Sequence, residues 1–192
     1  MPTREEQKEQ RRKTIIIVAL ELFISRGYAA TRITDIAEAA DMSMGLLFHY
    51  FPSKEKLYEE LIQIGITGPQ SVMQTEYPMD NPLEFFYQAA QGIMNALKEP
   101  AVGKFFVLMK QACMDVSLSD EIKKLLEKMT IIEDSVPIIE AGQRIGTIRE
   151  GSAITLSRVF WGSIQGVAEY SAAYPDMELP DSRIFGDILA KR

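Results

Sequence analysis

Cysteine and histidine are almost absent from this chain, with one of each, Cys113 and His49, among 192 residues. A single cysteine excludes an internal disulfide and suits a reducing cytoplasm, where a lone thiol is expected to be buried and to behave as a small hydrophobe. A single histidine excludes metal sites built from several imidazoles. It also leaves a Ser or Cys nucleophile with no histidine base except one drawn from the segment around His49. Glycine-rich phosphate loops and zinc-ligand spacings are missing as well. The carboxylate pairs at helical spacing, Glu55 with Glu59 and Glu127 with Asp134, read as solvated helix faces. These absences point away from an enzyme, a metal or a resident cofactor.

Long apolar runs are missing too. The longest, Ile15 to Leu20, stops at Glu21, far short of the ~20 residues that a membrane-spanning helix needs. The charged start ahead of it resembles a signal peptide, but Ile16, Ala19, Leu20 and Phe23 recur at helical spacing and read better as a buried helix face. No membrane association is expected. A hydrophobic content of 46% is enough for a full core in one large or two small domains. Excess positive charge is also lacking, since the net charge is −6, whereas many DNA-binding domains are basic. The deficit is uneven. Residues 1–60 carry nine Lys and Arg against ten Asp and Glu, about −1, which leaves about −5 for the remainder.

What is present begins with the stretch from Asp41 to Lys56. Ser43 is placed to cap a short helix, with Leu47 and Phe51 four apart on one face to anchor it. Pro52 stops the helix and Ser53 restarts one. The free face carries Ser43, Met44, Gly45, Leu46, Phe48, His49 and Tyr50, with Lys54 just beyond. Upstream, about Thr34 to Ala40 forms a second helix with Ile36, Ala37 and Ala40 inward, joined by a tight turn at Asp41 and Met42. Two short helices at a sharp turn make a helix-turn-helix. Lys8, Arg11, Arg12 and Lys13 at the start of the first helix, with Arg32 and Lys54, are placed to reach phosphates, although a charge run of this kind also occurs as a merely solvated surface.

The run Ala19-Leu20-Glu21-Leu22-Phe23, then Arg26-Gly27-Tyr28, Thr31, Asp35-Ile36-Ala37, Ser43, Gly45, Leu47 and His49-Tyr50-Phe51-Pro52-Ser53-Lys54-Glu55 resembles the N-terminal DNA-binding domain of the tetracycline-repressor (TetR) family. The resemblance covers about a quarter of the chain, from Arg12 to Leu61. It implies an all-α protein, with a three-helix helix-turn-helix domain over 1–55 followed by a helical ligand-binding and dimerisation domain over 56–192. It further implies a cytoplasmic homodimer, most often a repressor, that binds a double-stranded inverted-repeat operator and is released by a small apolar or amphipathic effector. Carried onto this sequence, it assigns DNA contacts to Thr31, Arg32, Thr34, Ser43, Met44, Gly45, Leu46, Phe48, His49, Tyr50 and Lys54, with Tyr50 and Lys54 mainly at phosphates.

The third helix departs from the family pattern. Many relatives carry Lys, Thr and Tyr where this chain has Met44, Leu46 and Phe48. These three side chains offer only apolar contact, and the thymine methyl is the apolar group displayed in the major groove. Thymine-bearing half-sites are therefore expected. The same face also suits a protein partner, so a helical ligand- or protein-binding module that has lost operator reading is the alternative.

Beyond a fourth helix over 53–64, Gly65, Gly68 and Pro69 are expected to break the pattern, and Asn81 and Pro82 to open the next helix. Helices are expected near 82–98, 101–116, 119–145, 153–173 and 181–190. Pro137 should kink or split the third of these, with Ser119 and Ser152 as start signals. The run Phe105 to Met114 is apolar nearly all round, which predicts burial on several sides. Tyr87, Gln91, Met94, Phe105, Met109, Gln111, Cys113, Trp161, Gln165 and Tyr170 are the candidate effector-pocket residues, against the plainer reading of ordinary core. Gly162 and Gly166, continued by Ala168, Ala172 and Ala173, together with Ile184, Phe185 and Ile188, are the candidate dimer interface, against close packing within one subunit.

Overall fold

Thr3 opens the first helix, α1 (Arg4–Arg26), through a reciprocal cap: its hydroxyl accepts the Glu6 N–H at 3.2 Å, and the Glu6 carboxylate accepts the Thr3 N–H at 2.6 Å. The structure is a computed structural model that describes residues 3–74 and 76–191. The predicted face of α1, including Ile16, Ala19, Leu20 and Phe23, is buried. The helix ends at Gly27, whose φ of 81° is a conformation that favours glycine.

The next two helices are α2 (Ile33–Ala39) and α3 (Met44–Tyr50). Their turn is closed by two backbone bonds, Asp41 N–H to the Glu38 oxygen at 3.0 Å and Met42 N–H to the Ala37 oxygen at 2.9 Å. Asp41 adopts the left-handed conformation, φ 52°, that such an ending requires and that a short polar side chain tolerates. α4 (Lys54–Met73) follows, then α5 (Leu83–Ala96), α6 (Pro100–Met114), α7 (Asp120–Leu126), α8 (Ile131–Asp134), α9 (Val136–Ile145), α10 (Ala153–Ala173) and α11 (Arg183–Asp187). Among the described residues there is no strand, only an isolated bridge between Ile148 and Ala190. The all-α expectation holds.

The chain packs as two units, Met1–Gly65 with Val107–Leu126, and Ile66–Phe106 with Glu127–Arg192. This differs from a linear division after residue 55, for a reason visible in the first unit. Leu57, Tyr58, Leu61 and Ile62 of α4 are buried, and Tyr58 meets Phe23 edge-on with ring centroids 4.9 Å apart. The C-terminal half of α6 joins the same unit. There Gln111 donates to the Ile24 oxygen at 3.2 Å, and Met109 lies so close to Gly65 that a Cβ at that position would meet its sulfur.

Several expected boundaries shift. α4 does not stop at Gly65 but runs on through Gly68 and Pro69, because buried Ile66 continues its apolar face and burial outweighs local propensity. Asn81 gives α5 no side-chain cap; Pro82 occupies the cap position itself. The expected helix over 119–145 is three helices, with the last break at Ser135, just before Pro137, where sequence places it. Ser119 marks the start of α7, though its hydroxyl is buried without a partner. Ser152 caps α10 as expected, accepting the Thr155 N–H at 3.4 Å. α6 is not buried all round: Leu108, Met109 and Ala112 face inward while Met114 is exposed.

The core of the second unit is aromatic. Phe85, Phe86, Phe160 and Trp161 form a chain of edge-to-face contacts with centroids 4.8–5.0 Å apart. At its end the Trp161 indole N–H donates to Ser135 Oγ at 3.0 Å. Ser157 Oγ lies 2.8 Å from Ser135 Oγ and 2.8 Å from the Ile132 carbonyl oxygen, to which it donates. Buried polar groups here are satisfied by one another.

Candidate nucleic-acid interface

The helix α3 is built to expose its side chains. Ser43 Oγ accepts the Leu46 N–H at 3.3 Å and holds the first turn. Leu47 is fully buried and Phe51 nearly so. With Leu47 inward, the helical step places Gly45 and His49 on the outermost ridge, Met44 and Phe48 on one flank, and Leu46 and Tyr50 on the other. Exposure agrees: Gly45, Phe48 and His49 are exposed, and Met44, Leu46 and Tyr50 are half-buried. A Cβ on Gly45 would meet nothing within 4 Å, so this position leaves room for close approach from outside. The rings of His49 and Tyr50 lie 5.7 Å apart at a steep angle. At the start of α2, Arg32 and Thr34 are exposed, as are Lys8, Arg11 and Lys13 on α1.

One expected contact, Thr31, is corrected, and another, Lys54, is engaged within the fold while remaining partly exposed. Thr31 is 1% exposed, and its hydroxyl donates inward to the Gly27 oxygen at 2.8 Å and the Leu22 oxygen at 3.2 Å. It fastens the loop between α1 and α2. The Lys54 ammonium donates to the Tyr28 oxygen at 2.8 Å and the Thr31 oxygen at 3.1 Å, over the Tyr28 ring at 4.2 Å. Partial burial lowers its pKa from the ordinary lysine value. Its charge is held by the fold, where a phosphate contact was expected. Arg12, too, is engaged, pairing with Glu60 at 2.6 Å and lying over the Phe51 ring. Sequence reading missed these ties because the acceptors are backbone carbonyls and a carboxylate distant along the chain.

The candidate effector residues are divided between the two units. Met109, Gln111 and Cys113 belong to the first unit, and Cys113 is exposed, contrary to the expected buried thiol. In the second unit Met94 and Trp161 are packed core, Phe105 is half-buried, and Gln91 and Tyr170 are exposed. Gln165 donates to Glu169 at 3.0 Å. The Tyr87 hydroxyl donates to Asp187 Oδ1 at 2.7 Å. Burial first, and that hydrogen bond second, push the Tyr87 phenol up to about 12. An apolar cleft of about 20 Å³ lies against Ile66, Pro69, Met73, Lys128, Met129 and Ile131, which is room for about one water.

The candidate dimer surface divides. Gly162 and Gly166 are exposed on α10, and a Cβ at either would meet nothing within 4 Å. They share that face with Val159, Tyr170 and Tyr174, the last two rings stacked at 5.7 Å. Ile184 is exposed and Ile188 half-buried. Phe185 is corrected: it is core of its own unit, because α11 has five residues and presses Gly186 against the Tyr87 ring. Ala168 is likewise internal, backing onto Gly103 of α6.

Comparison with known proteins agrees with this architecture. The family model described as bacterial regulatory proteins, tetR family, matches residues 15–61. The HTH-type transcriptional repressor KstR2 of Rhodococcus jostii (strain RHA1) is 41% identical over 166 residues, covering 78% of this chain and 74% of that protein. Among solved structures, the ketosteroid transcriptional regulator KstR2 of Mycobacterium tuberculosis superimposes with a TM-score of 0.72 at 19% identity, over 95% of this chain and 96% of that one. AibR in complex with isovaleryl coenzyme A and operator DNA gives a TM-score of 0.67 at 20% identity, over 93% and 96%.

Proposed function

Since the chain belongs to the tetR family of bacterial regulatory proteins, and is thus a transcriptional regulator rather than an enzyme, we propose that it is a cytoplasmic, effector-released repressor that binds an inverted-repeat operator as a homodimer. The observation that carries this reading is α3 itself: a capped helix anchored by Leu47 and Phe51, with every other side chain turned at least partly to solvent. Its ridge and flanks, with Arg32 and Thr34, meet base edges and backbone in the major groove. The α10 face around Gly162, Gly166 and Tyr170, with Ile184, pairs two copies so that two such helices face one DNA duplex. Half-sites then lie one or more helical turns apart, ~34–36 Å per turn.

The effector is a small apolar or amphipathic molecule. KstR2 regulators carry the ketosteroid label and AibR was solved with an acyl-coenzyme A thioester, and the aromatic core of the second unit suits an apolar moiety of that kind. The cleft of about 20 Å³ beside Ile66 and Met73 is too small for such a molecule, and we place the effector in a state of the second unit with more room. Effector then shifts the population toward a state that DNA disfavours, by no more than its differential affinity for the two states. Selection of genomic fragments by the purified protein at several salt concentrations tests the reading. Enrichment of an inverted repeat supports it, whereas retention of no sequence in preference to others would point instead to a module that binds only ligand or protein.

A further inference from the structure

The fold leaves part of the apolar flank of α3 uncovered. Leu47 and Phe51 already supply the anchor, yet Phe48 stands 43% exposed, with Met44 one turn before it on the same flank and half-buried. The exposed part of that ring forgoes the transfer free energy of its apolar surface, which a covering group would recover. The same unit carries exposed cations, Arg32, Arg11, Lys8 and Lys13, and the flank is continuous with the Gly45–His49 ridge of a DNA-binding family's third helix.

The major-groove edges of the four base pairs present oxygen and nitrogen acceptors, amino donors and one apolar group, the C5 methyl of thymine. A thioether and a phenyl ring pair with none of the polar edges, and pressing them against such an edge would remove its water without replacement. We infer that the Met44–Phe48 flank reads the C5 methyl of a pyrimidine, so that each half-site carries thymine there and 5-methylcytosine can take its place. The two base pairs differ at pyrimidine position 4 and at purine position 6, each an exchange of amino and oxygen groups, and neither side chain has a donor or a strong acceptor to sense it. A half-site that carries cytosine at that step is therefore bound more tightly when that cytosine is methylated at C5. The inference rests on the operator reading above and names the group that is recognised.

The test uses synthetic duplexes of the inverted repeat that the protein selects from genomic fragments, with each half-site thymine replaced in turn by uracil. At the contacted position uracil binds about fourfold more weakly, the change that corresponds to losing burial of one methyl-sized group. A C·G pair placed there is likewise weakened, and methylating that cytosine at C5 recovers about fourfold. Phe48 is exposed, so Phe48→Ala folds, and in that variant the thymine and uracil duplexes bind alike. Equal affinity of the wild-type protein for thymine and uracil at every half-site position overturns the inference while leaving operator binding standing. A methyl effect undiminished in the Met44→Ala, Phe48→Ala double variant overturns it as well. Selection of no DNA sequence overturns both it and the reading beneath it.

Discussion

The Lys54 ammonium donates to the Tyr28 carbonyl oxygen at 2.8 Å while lying 4.2 Å from the centroid of the Tyr28 ring. One side chain thus ties the start of α4 to the loop that follows α1. Lys54→Met should lower the stability of the first unit by about 1–2 kcal/mol, the scale of losing charge-assisted hydrogen bonds at a partly solvated site. Thermal unfolding measures the loss. The slope of operator affinity against salt should stay as in the wild type, whereas removing a true phosphate contact reduces that slope by about 1.

The Ser135 hydroxyl sits at the α8–α9 junction and accepts the Trp161 indole N–H. Ser135→Ala leaves that buried donor without an acceptor, at a cost of about 1–3 kcal/mol. Chemical denaturation followed by the emission of this tryptophan, the one in the sequence, should show an earlier midpoint and a shifted native spectrum.

Alkaline stability should depend on Tyr87. Its phenol is raised to about 12 in the fold from an ordinary 10.0, so the folded state holds its proton more tightly than the unfolded chain. The resulting stability is fully present below pH 10 and is lost as pH rises through about 12. Tyr87→Phe should flatten this part of the profile in the second unit, read by Trp161 emission. An unchanged profile would mean that the Asp187 contact carries no such coupling.

The α10 face makes a separate prediction. Gly166 has open space around it, so Gly166→Arg is tolerated within one subunit but obstructs a second copy. Sedimentation should show a monomer, and affinity for a full inverted repeat should fall to that for a single half-site. A variant that remains dimeric would place the interface elsewhere.

The features read correctly from sequence are local ones. Ser43 as a cap, the Leu47 and Phe51 anchor, the Asp41–Met42 turn, the Ser152 cap and the break before Pro137 each depend on residues within about five positions, where spacing encodes geometry. What escaped depends on backbone acceptors and burial that spacing does not encode. Thr31 and Lys54 look like surface contacts until the carbonyls of Leu22 and Tyr28 are brought beside them. Pro69 looks like a helix end until burial carries α4 past it. The candidate effector residues rest on apolar or polar character, and character alone does not distinguish Trp161 in packed core from Tyr170 on the surface.

The central claim is that two α3 faces read one inverted repeat. It is tested most directly by titrating the selected duplex with purified protein, beside duplexes in which one or both half-sites are shuffled at constant composition. The account predicts two or a small multiple of two protomers bound per intact repeat, a large loss of affinity when one half-site is shuffled, and binding no better than to unrelated DNA when both are. Equal affinity for the intact and fully shuffled duplexes would contradict it.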